Sequence, residues 1–267
     1  MVIPSILLKF MFPSPSSWFV TAMMAVNLLA LMDAGYMEIK GKNMRYSKFL
    51  NAGVAKKQEM KLSSRNGMLL FYTPAFLVGL ASFFVFPLQD LRFVSLASAL
   101  TIHFFKRVLE VLFLHKYSGS MALESAIIIT MSYTSSTATM IYAQFLSRDV
   151  SEPMVDLKYI GIGLFVIGTI GNFYHHCLLA NLRKKGDKEY KIPRGGLFDL
   201  VICPHYMFEI LANVGILSIS QTLYAFAFTL GTIFYLTGRS YGTRKWYLSK
   251  FGDKFPKDVK ALIPYVF

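Results

Sequence analysis

Long apolar runs alternate with short charged connections along this chain, and most runs are long enough to cross a bilayer. A helix spanning the hydrocarbon needs roughly 20 mostly apolar residues. Runs of about that length lie at Trp18–Met37, Gly67–Phe86, Leu91–His115, Met121–Leu146, Tyr159–Leu182, Leu197–Ile219 and Thr222–Leu236, the last two divided by a tight turn. The pattern predicts an all-α, polytopic membrane protein of about seven transmembrane helices, folded as a single domain over residues 1–267. Pro4, Pro13 and Pro15 mark an irregular lead-in. The first run has no small-residue cleavage site after it, so a retained helix is expected rather than a signal peptide.

Composition agrees: 54% of the 267 residues are hydrophobic and mean hydropathy is +0.46. A formal charge of +13 would suit a nucleic-acid binder, but its placement excludes that class. Basic groups crowd the loop after the first run (Lys40, Lys42, Arg45 and Lys48 among them). They recur after the third (Lys116), the fifth (Arg183, Lys184, Lys185) and the seventh (Arg239, Arg244, Lys245, Lys250), while the alternate loops are poor in them. Cytosolic loops carry that excess, which predicts a lumenal amino terminus and a cytosolic carboxy terminus. Cys177 and Cys203 both lie in apolar runs, with no disulfide framework or C-x-x-C motif.

The chemistry gathers in Tyr190–Glu209, YKIPRGGLFDLVICPHYMFE, where Arg194, Asp199, His205 and Glu209 head or enter an apolar segment. Ionisable groups at membrane depth are costly and mark a site by default. Asn172, His176 and Arg183 share a helical face in the fifth run. In the third run His103, Arg107 and Glu110 share another, with Lys106 one turn before Glu110, and either Lys106 or Arg107 is able to pair with that carboxylate. His205 and Glu209 share a third. Interhelical hydrogen bonding explains any one of these stripes, each bond being worth under about a kcal/mol. Three converging stripes point to a ligand site. Gly238–Gly242, G-R-S-Y-G, copies a nucleophile elbow but ends a membrane helix instead of following a strand. Five histidines are too few for a histidine-rich di-iron site, so no metal is expected. There is no GxGxxG or P-loop, which excludes a Rossmann cofactor site.

Y190-K-I-P-R-G-G-L-F, C203-P-H-Y-x-x-E209, W246-Y-x-x-K-F and the terminal K-A-L-I-P-Y-V-F together resemble the steroid 5α-reductase family (3-oxo-5α-steroid 4-dehydrogenases). That family also includes polyprenol reductases and very-long-chain enoyl-CoA reductases. The likeness is strongest over about the last hundred residues, within a family-specific region of about 159–267. It implies a multi-pass endoplasmic-reticulum membrane enzyme that binds NADPH from the cytosol and reduces the carbon–carbon double bond of an α,β-unsaturated carbonyl. Position by position, it assigns Tyr36, Arg107, Asn172, His176, Arg183, Tyr190, Lys191, His205, Glu209, Arg239 and Tyr247 to the dinucleotide. Arg183, Lys191 and Arg239 are expected nearest its phosphates.

Two positions depart from the steroid-reductase pattern. A second-helix glutamate and a third-helix tyrosine hold the substrate ketone in those enzymes. Here Tyr72 (in Y72-T-P) and Phe104 (in H103-F-F-K-R) stand in their places, which makes Tyr72 the expected carbonyl-polarising group. The leading expectation is reduction of a 3-oxo-Δ4-steroid. The third helix, F-K-R-V-L-E-V-L-F-L-H-K-Y-S, looks more like the enoyl-CoA reductases and keeps a trans-2-enoyl thioester as the alternative. Those enzymes, however, usually carry a soluble domain ahead of the first helix, for which this chain leaves no room. A non-catalytic sterol-binding protein is the alternative of another class. The partners implied are membrane lipid and a lipid-like substrate, with no nucleic acid and no obligate protein partner.

Overall fold

The computed structural model describes residues 9–50, 60–86, 90–182 and 189–267. Among the described residues seven α-helices follow one another: α1 (Trp18–Ile39), α2 (Ser64–Val85), α3 (Leu91–Leu109), α4 (Leu123–Leu146), α5 (Lys158–Asn181), α6 (Pro204–Ser220) and α7 (Leu223–Phe251). α3 runs straight into one π-helical segment, Glu110–Leu114. Two three-residue strands, β1 (Lys61–Ser63) and β2 (Ser120–Ala122), pair antiparallel at one end of the bundle. Among the described residues, α1, α2 and α5 are long and apolar enough to cross a membrane. α3 and α7 carry cations inside their length (Lys106 and Arg107; Arg239, Arg244 and Lys245), which lowers their apolar character.

Three expected boundaries are corrected. The fourth helix starts at Leu123, not Met121, because Ser120–Ala122 is used as β2. The sixth starts at Pro204, not Leu197. Gly195 and Gly196 take φ of +85° and +54°, Gly196–Asp199 forms a 3-10 turn, and the helix restarts with proline in its first turn. A Cβ on Gly196 would lie 2.9 Å from His175 Nε2, so side chains larger than hydrogen do not fit that turn. The seventh helix continues past Leu236 to Phe251, its last turns carrying Arg239, Arg244, Lys245 and Lys250.

Helix contacts follow small residues. α5 and α6 pack backbone to backbone, and a Cβ on Gly168 would stand 2.4 Å from Ala212 N. Pro74 in α2 removes the amide that would bond the Leu70 carbonyl, and the Thr130 hydroxyl of α4 lies 3.1 Å from that oxygen. The proline is thus tolerated just beyond Tyr72. The carboxy-terminal block is structural: Ile202 and Cys203 amides donate to the Lys260 and Ala261 carbonyls, and Arg244 clamps the Val259 and Lys257 carbonyls. This strap braces the stretch leading into α6.

Opposite the sheet end, Arg92 is buried in a knot. It donates to Glu152, to Asp156 at 2.7 Å, to the Ile219 carbonyl at 2.7 Å and to Gln221 Oε1 at 2.9 Å. Gln221, at φ +48°, donates in turn to the Phe10 and Val155 carbonyls. The lead-in, the α4–α5 connection and both helices α3 and α6 are tied together there.

Candidate functional site

Two cavities meet inside the bundle. One, of about 270 Å³, opens at the sheet end and is walled by α3, α5, α6, α7 and the loops holding Tyr46–Lys48, His115–Tyr117 and Tyr190–Pro193. Lys48, Arg107, Lys116, Lys191 and Arg239 lie in its wall, against the single carboxylate of Glu209. The other, of about 170 Å³, lies deeper among α1, α2, α3, α4, α6 and α7, and its wall is mostly apolar. Tyr46, Tyr72, Tyr133, Glu209, Tyr235 and Leu236 belong to both walls and form the junction. Ala30, Leu31 and Ala34 of α1 face Ile128 and Ser132 of α4 along the deep chamber. Ile128 is half exposed, so the chamber reaches the lateral surface of the bundle between these helices.

At the junction Tyr72 is held by charge. Arg107 Nη2 donates to its hydroxyl at 2.7 Å, and the guanidinium lies 4.7 Å from its ring centre. Because that oxygen accepts from Arg107, its own proton is left to donate elsewhere. Arg107 is fixed by Glu110 at 2.6 Å and lies 2.9 Å from His176 Nδ1. Lys106 also reaches Glu110, at 2.8 Å, the ion pair expected from the sequence, and donates to Asn172 Oδ1 at 2.5 Å. The π-helical turn begins at Glu110, so the carboxylate that organises both cations sits where the helix widens. Outside the helices, burial and then neighbouring Tyr72 push the Tyr117 phenol above its ordinary range, so it stays protonated and able to donate.

Of the residues expected around a dinucleotide, Arg107, His176, Tyr190, Lys191, His205, Glu209, Arg239 and Tyr247 line the open cavity, as does Tyr72. Two do not line it, and a third is not among the described residues. Tyr36 is 54% exposed on α1 with Lys40 over its ring, away from both cavities. Asn172 is 3% exposed and spent as a crosslink, donating to the His205 carbonyl while accepting from Lys106. Arg183 lies outside the described residues. Arg239 reaches the wall but is already paired: it donates to Glu38 at 2.7 Å, and its guanidinium is sandwiched 4.2 Å from the rings of Tyr46 and Phe49. Ser240 of the elbow-like G-R-S-Y-G is fully buried and bonds back to the Leu236 carbonyl, so it offers no nucleophile.

Sequence reasoning missed Tyr46, Lys48, Tyr133, Tyr235 and Glu38. The three tyrosines carry no charge at neutral pH and sit in apolar or loop sequence, so a search for ionisable groups in membrane segments passes over them. Glu38 lies just beyond the first predicted run, beside the loop cations, where an acidic residue reads as solvated. Glu110, His115 and His176 bring three potential ligand atoms within 4.8 Å of one another. Two cations already satisfy Glu110, however, and oppose a third.

The open cavity suits a large polyanion on three observations. Its cations outnumber its carboxylate, its mouth lies at the loop end, and the Nδ1 of His205 in its wall is buried without a hydrogen-bond partner. The deep chamber suits an apolar guest.

Residues 121–267 match the family described as 3-oxo-5-alpha-steroid 4-dehydrogenase. A very-long-chain enoyl-CoA reductase of Dictyostelium discoideum is 36% identical over 168 residues, 62% of this chain and 55% of that protein. The steroid 5-alpha-reductase DET2 of Gossypium hirsutum is 45% identical over 107 residues, 40% of this chain and 42% of that protein. A probable very-long-chain enoyl-CoA reductase of Caenorhabditis elegans is 30% identical over 209 residues, 74% of this chain and 66% of that protein. The chain thus spans about half the length of the first two relatives. The family match takes in α4 to α7, the strap at the carboxy terminus and most of the open cavity's wall, and on that footing the chain belongs to the 3-oxo-5-alpha-steroid 4-dehydrogenase family.

Proposed function

We propose that the protein is an NADPH-dependent reductase of a carbon–carbon double bond conjugated to a carbonyl in a lipid-like substrate, foremost a 3-oxo-Δ4-steroid. The observation that carries this is the pair of cavities, one cationic and one apolar, meeting at a wall of phenols. NADPH would be held by the wall of the open cavity, with Lys48, Lys116 and Lys191 near its mouth and His205 and Glu209 deeper in. The hydride is supplied by the bound nicotinamide; the protein supplies binding, orientation and exclusion of water. Tyr72, with its oxygen engaged by Arg107, donates a hydrogen bond to the carbonyl oxygen as negative charge builds there. The Arg107–Glu110 pair keeps that phenol in place. Help of this kind is worth typically 10²–10⁴-fold.

The lateral reach of the chamber between α1 and α4 favours a lipid without a charged head group, because such a lipid partitions from the bilayer and a polyphosphate thioester does not. This supports the steroid. The enoyl thioester stays as the second reading on one specific observation. A match covering 74% of this chain, wherever it begins, includes α3, α4 and the Tyr72 region, and the relative so matched is named an enoyl-CoA reductase. We further propose seven membrane crossings in the endoplasmic reticulum, with a lumenal amino terminus and a cytosolic open cavity. The gathering of the basic loops at the cavity mouth, opposite the Arg92 knot, supports that orientation.

The test is NADPH oxidation by the purified protein with a 4-en-3-one steroid and, in parallel, a long-chain trans-2-enoyl-CoA. Steroid turnover that falls at least 100-fold in Tyr72→Phe, with NADPH affinity kept, is expected. Turnover of the thioester alone would select the second reading. Tight NADPH and steroid binding with no turnover of either would mean a sterol-binding protein.

A further inference from the structure

Tyr133 of α4 stands at the junction beside Tyr72 yet has no assigned part. Its ring stacks on the Tyr72 ring at 5.8 Å and 23°, and leans on Phe104 at 5.5 Å. It borders both cavities. Tyr72 spends one lone pair on Arg107, whereas the Tyr133 hydroxyl makes no hydrogen bond within the protein among the described residues. The neighbouring junction phenols Tyr46 and Tyr235 are 3.3 Å apart, one donating to the other, so each is engaged. Tyr133 is therefore the junction phenol whose donor and acceptor are both uncommitted. Tyr133 is half-buried and borders both cavities, where a ligand oxygen can take up that hydroxyl. Phe104, whose place on α3 faces the same ring, has no hydroxyl to give.

Resting on the reading of the site as an enone reductase, we propose that Tyr133 is the second carbonyl-holding residue: it donates a hydrogen bond to the substrate carbonyl oxygen beside the one from Tyr72. The oxygen would then be gripped from two helices, α2 and α4, by parallel phenols. In this role Tyr133 keeps its proton. It lowers the energy of the oxygen as charge moves onto it, and the stack on Tyr72 fixes the spacing of the two donors. Selectivity for a carbonyl over a hydrocarbon of the same shape is the direct consequence.

The experiment uses the full chain in detergent or nanodiscs, with testosterone as the 4-en-3-one and its analogue lacking the 3-oxo oxygen as the probe of ketone recognition. Wild type is expected to bind the ketone at least tenfold more tightly than the analogue. Tyr133→Phe is expected to erase most of that preference, leave NADPH affinity unchanged, and lower kcat/KM on the order of 10²-fold, as loss of one oxyanion donor does. Phe104→Tyr combined with Tyr133→Phe returns a hydroxyl on the adjoining ring and is expected to recover at least tenfold. A Tyr133→Phe protein whose ketone preference and kcat/KM stay within twofold of wild type would overturn the proposal, as would a wild type that binds both ligands equally. A wild type that never oxidises NADPH but loses its ketone preference in Tyr133→Phe would defeat the reductase reading and leave the role of Tyr133 in carbonyl recognition standing.

Discussion

The pair Glu38–Arg239 fixes the loop that roofs the open cavity, and its removal makes a quantitative prediction. Both side chains are at most 2% exposed, and they meet at 2.7 Å. Glu38 also accepts from Asn43 Nδ2 at 2.5 Å and from the Met44 amide at 2.9 Å, while Arg239 lies between the Tyr46 and Phe49 rings. Breaking a buried pair by deleting one partner costs about 3–5 kcal/mol. In Arg239→Met the Asn43 and Met44 donors still attend Glu38, which places the loss near the lower end, about 3 kcal/mol. At roughly 2–4 °C per kcal/mol for a chain of this size, Tm falls by about 10 °C. Glu38→Gln keeps an acceptor for Asn43 and Met44 but strands the guanidinium, at a similar cost. In the double variant no charge is left unmatched, so the combined loss should be smaller than the sum by about 2 kcal/mol, within the usual range for residues in contact. Thermal unfolding of all four proteins in one detergent gives the cycle, and limited trypsin digestion at Lys40, Lys42, Arg45 and Lys48 reports the loop. Losses that add within 0.5 kcal/mol, or a loop no more cleavable than in wild type, would refute the account of the pair as the loop's anchor.

Other consequences follow from the same contacts. Arg92→Met strands the buried Ile219 carbonyl and the Glu152 and Asp156 carboxylates, while Gln221 Oε1 keeps the Leu157 amide, so Tm should drop by several degrees while the affinity for NADPH proposed at the other end of the bundle stays unchanged in a fluorescence titration. Gly168→Leu places a side chain where even a Cβ meets the Ala212 amide at 2.4 Å, and should abolish recovery of folded protein in size-exclusion chromatography. Gly163→Ala, with nothing within 4 Å, should not. Tyr36→Phe should leave the Kd for NADPH within twofold, because Tyr36 lies outside both cavities; a larger change would restore the contact the resemblance assigns to it.

The helices were legible because a bilayer demands long apolar runs, and each of the seven runs contains one helix. Their ends were not, since apolar content does not register the strand at Ser120–Ala122 or the glycine turn at Gly195–Gly196. The cationic cavity was legible through His176, His205 and Glu209, whose placement in apolar sequence demands an explanation. Asn172 misled because the same demand is met by a crosslink to Lys106 and His205. The two polar stripes on α3 and α5 face each other, and part of what looks like ligand chemistry in one dimension is mutual satisfaction in three. Tyr133 and Tyr235 could not be read at all, since a phenol in an apolar run looks like any core aromatic.

That mutual satisfaction is itself part of how the site works. Glu110 pairs with both Lys106 and Arg107 at a depth where two unpaired cations would be prohibitive, leaving one net positive charge shared by the trio. Arg107 can then be spent on the Tyr72 oxygen without a bare charge in the apolar chamber behind it. The lysines at the mouth, Lys48, Lys116 and Lys191, lie near solvent, where a phosphate can exchange with water at little cost. Charge in this bundle is therefore graded: the mouth is rich in cations, Lys106 and Arg107 share Glu110 below it, and the chamber is mostly apolar with Glu209 at the junction. In the proposed reaction, negative charge arriving on a carbonyl oxygen at the junction meets the Tyr72 hydroxyl, whose oxygen Arg107 engages.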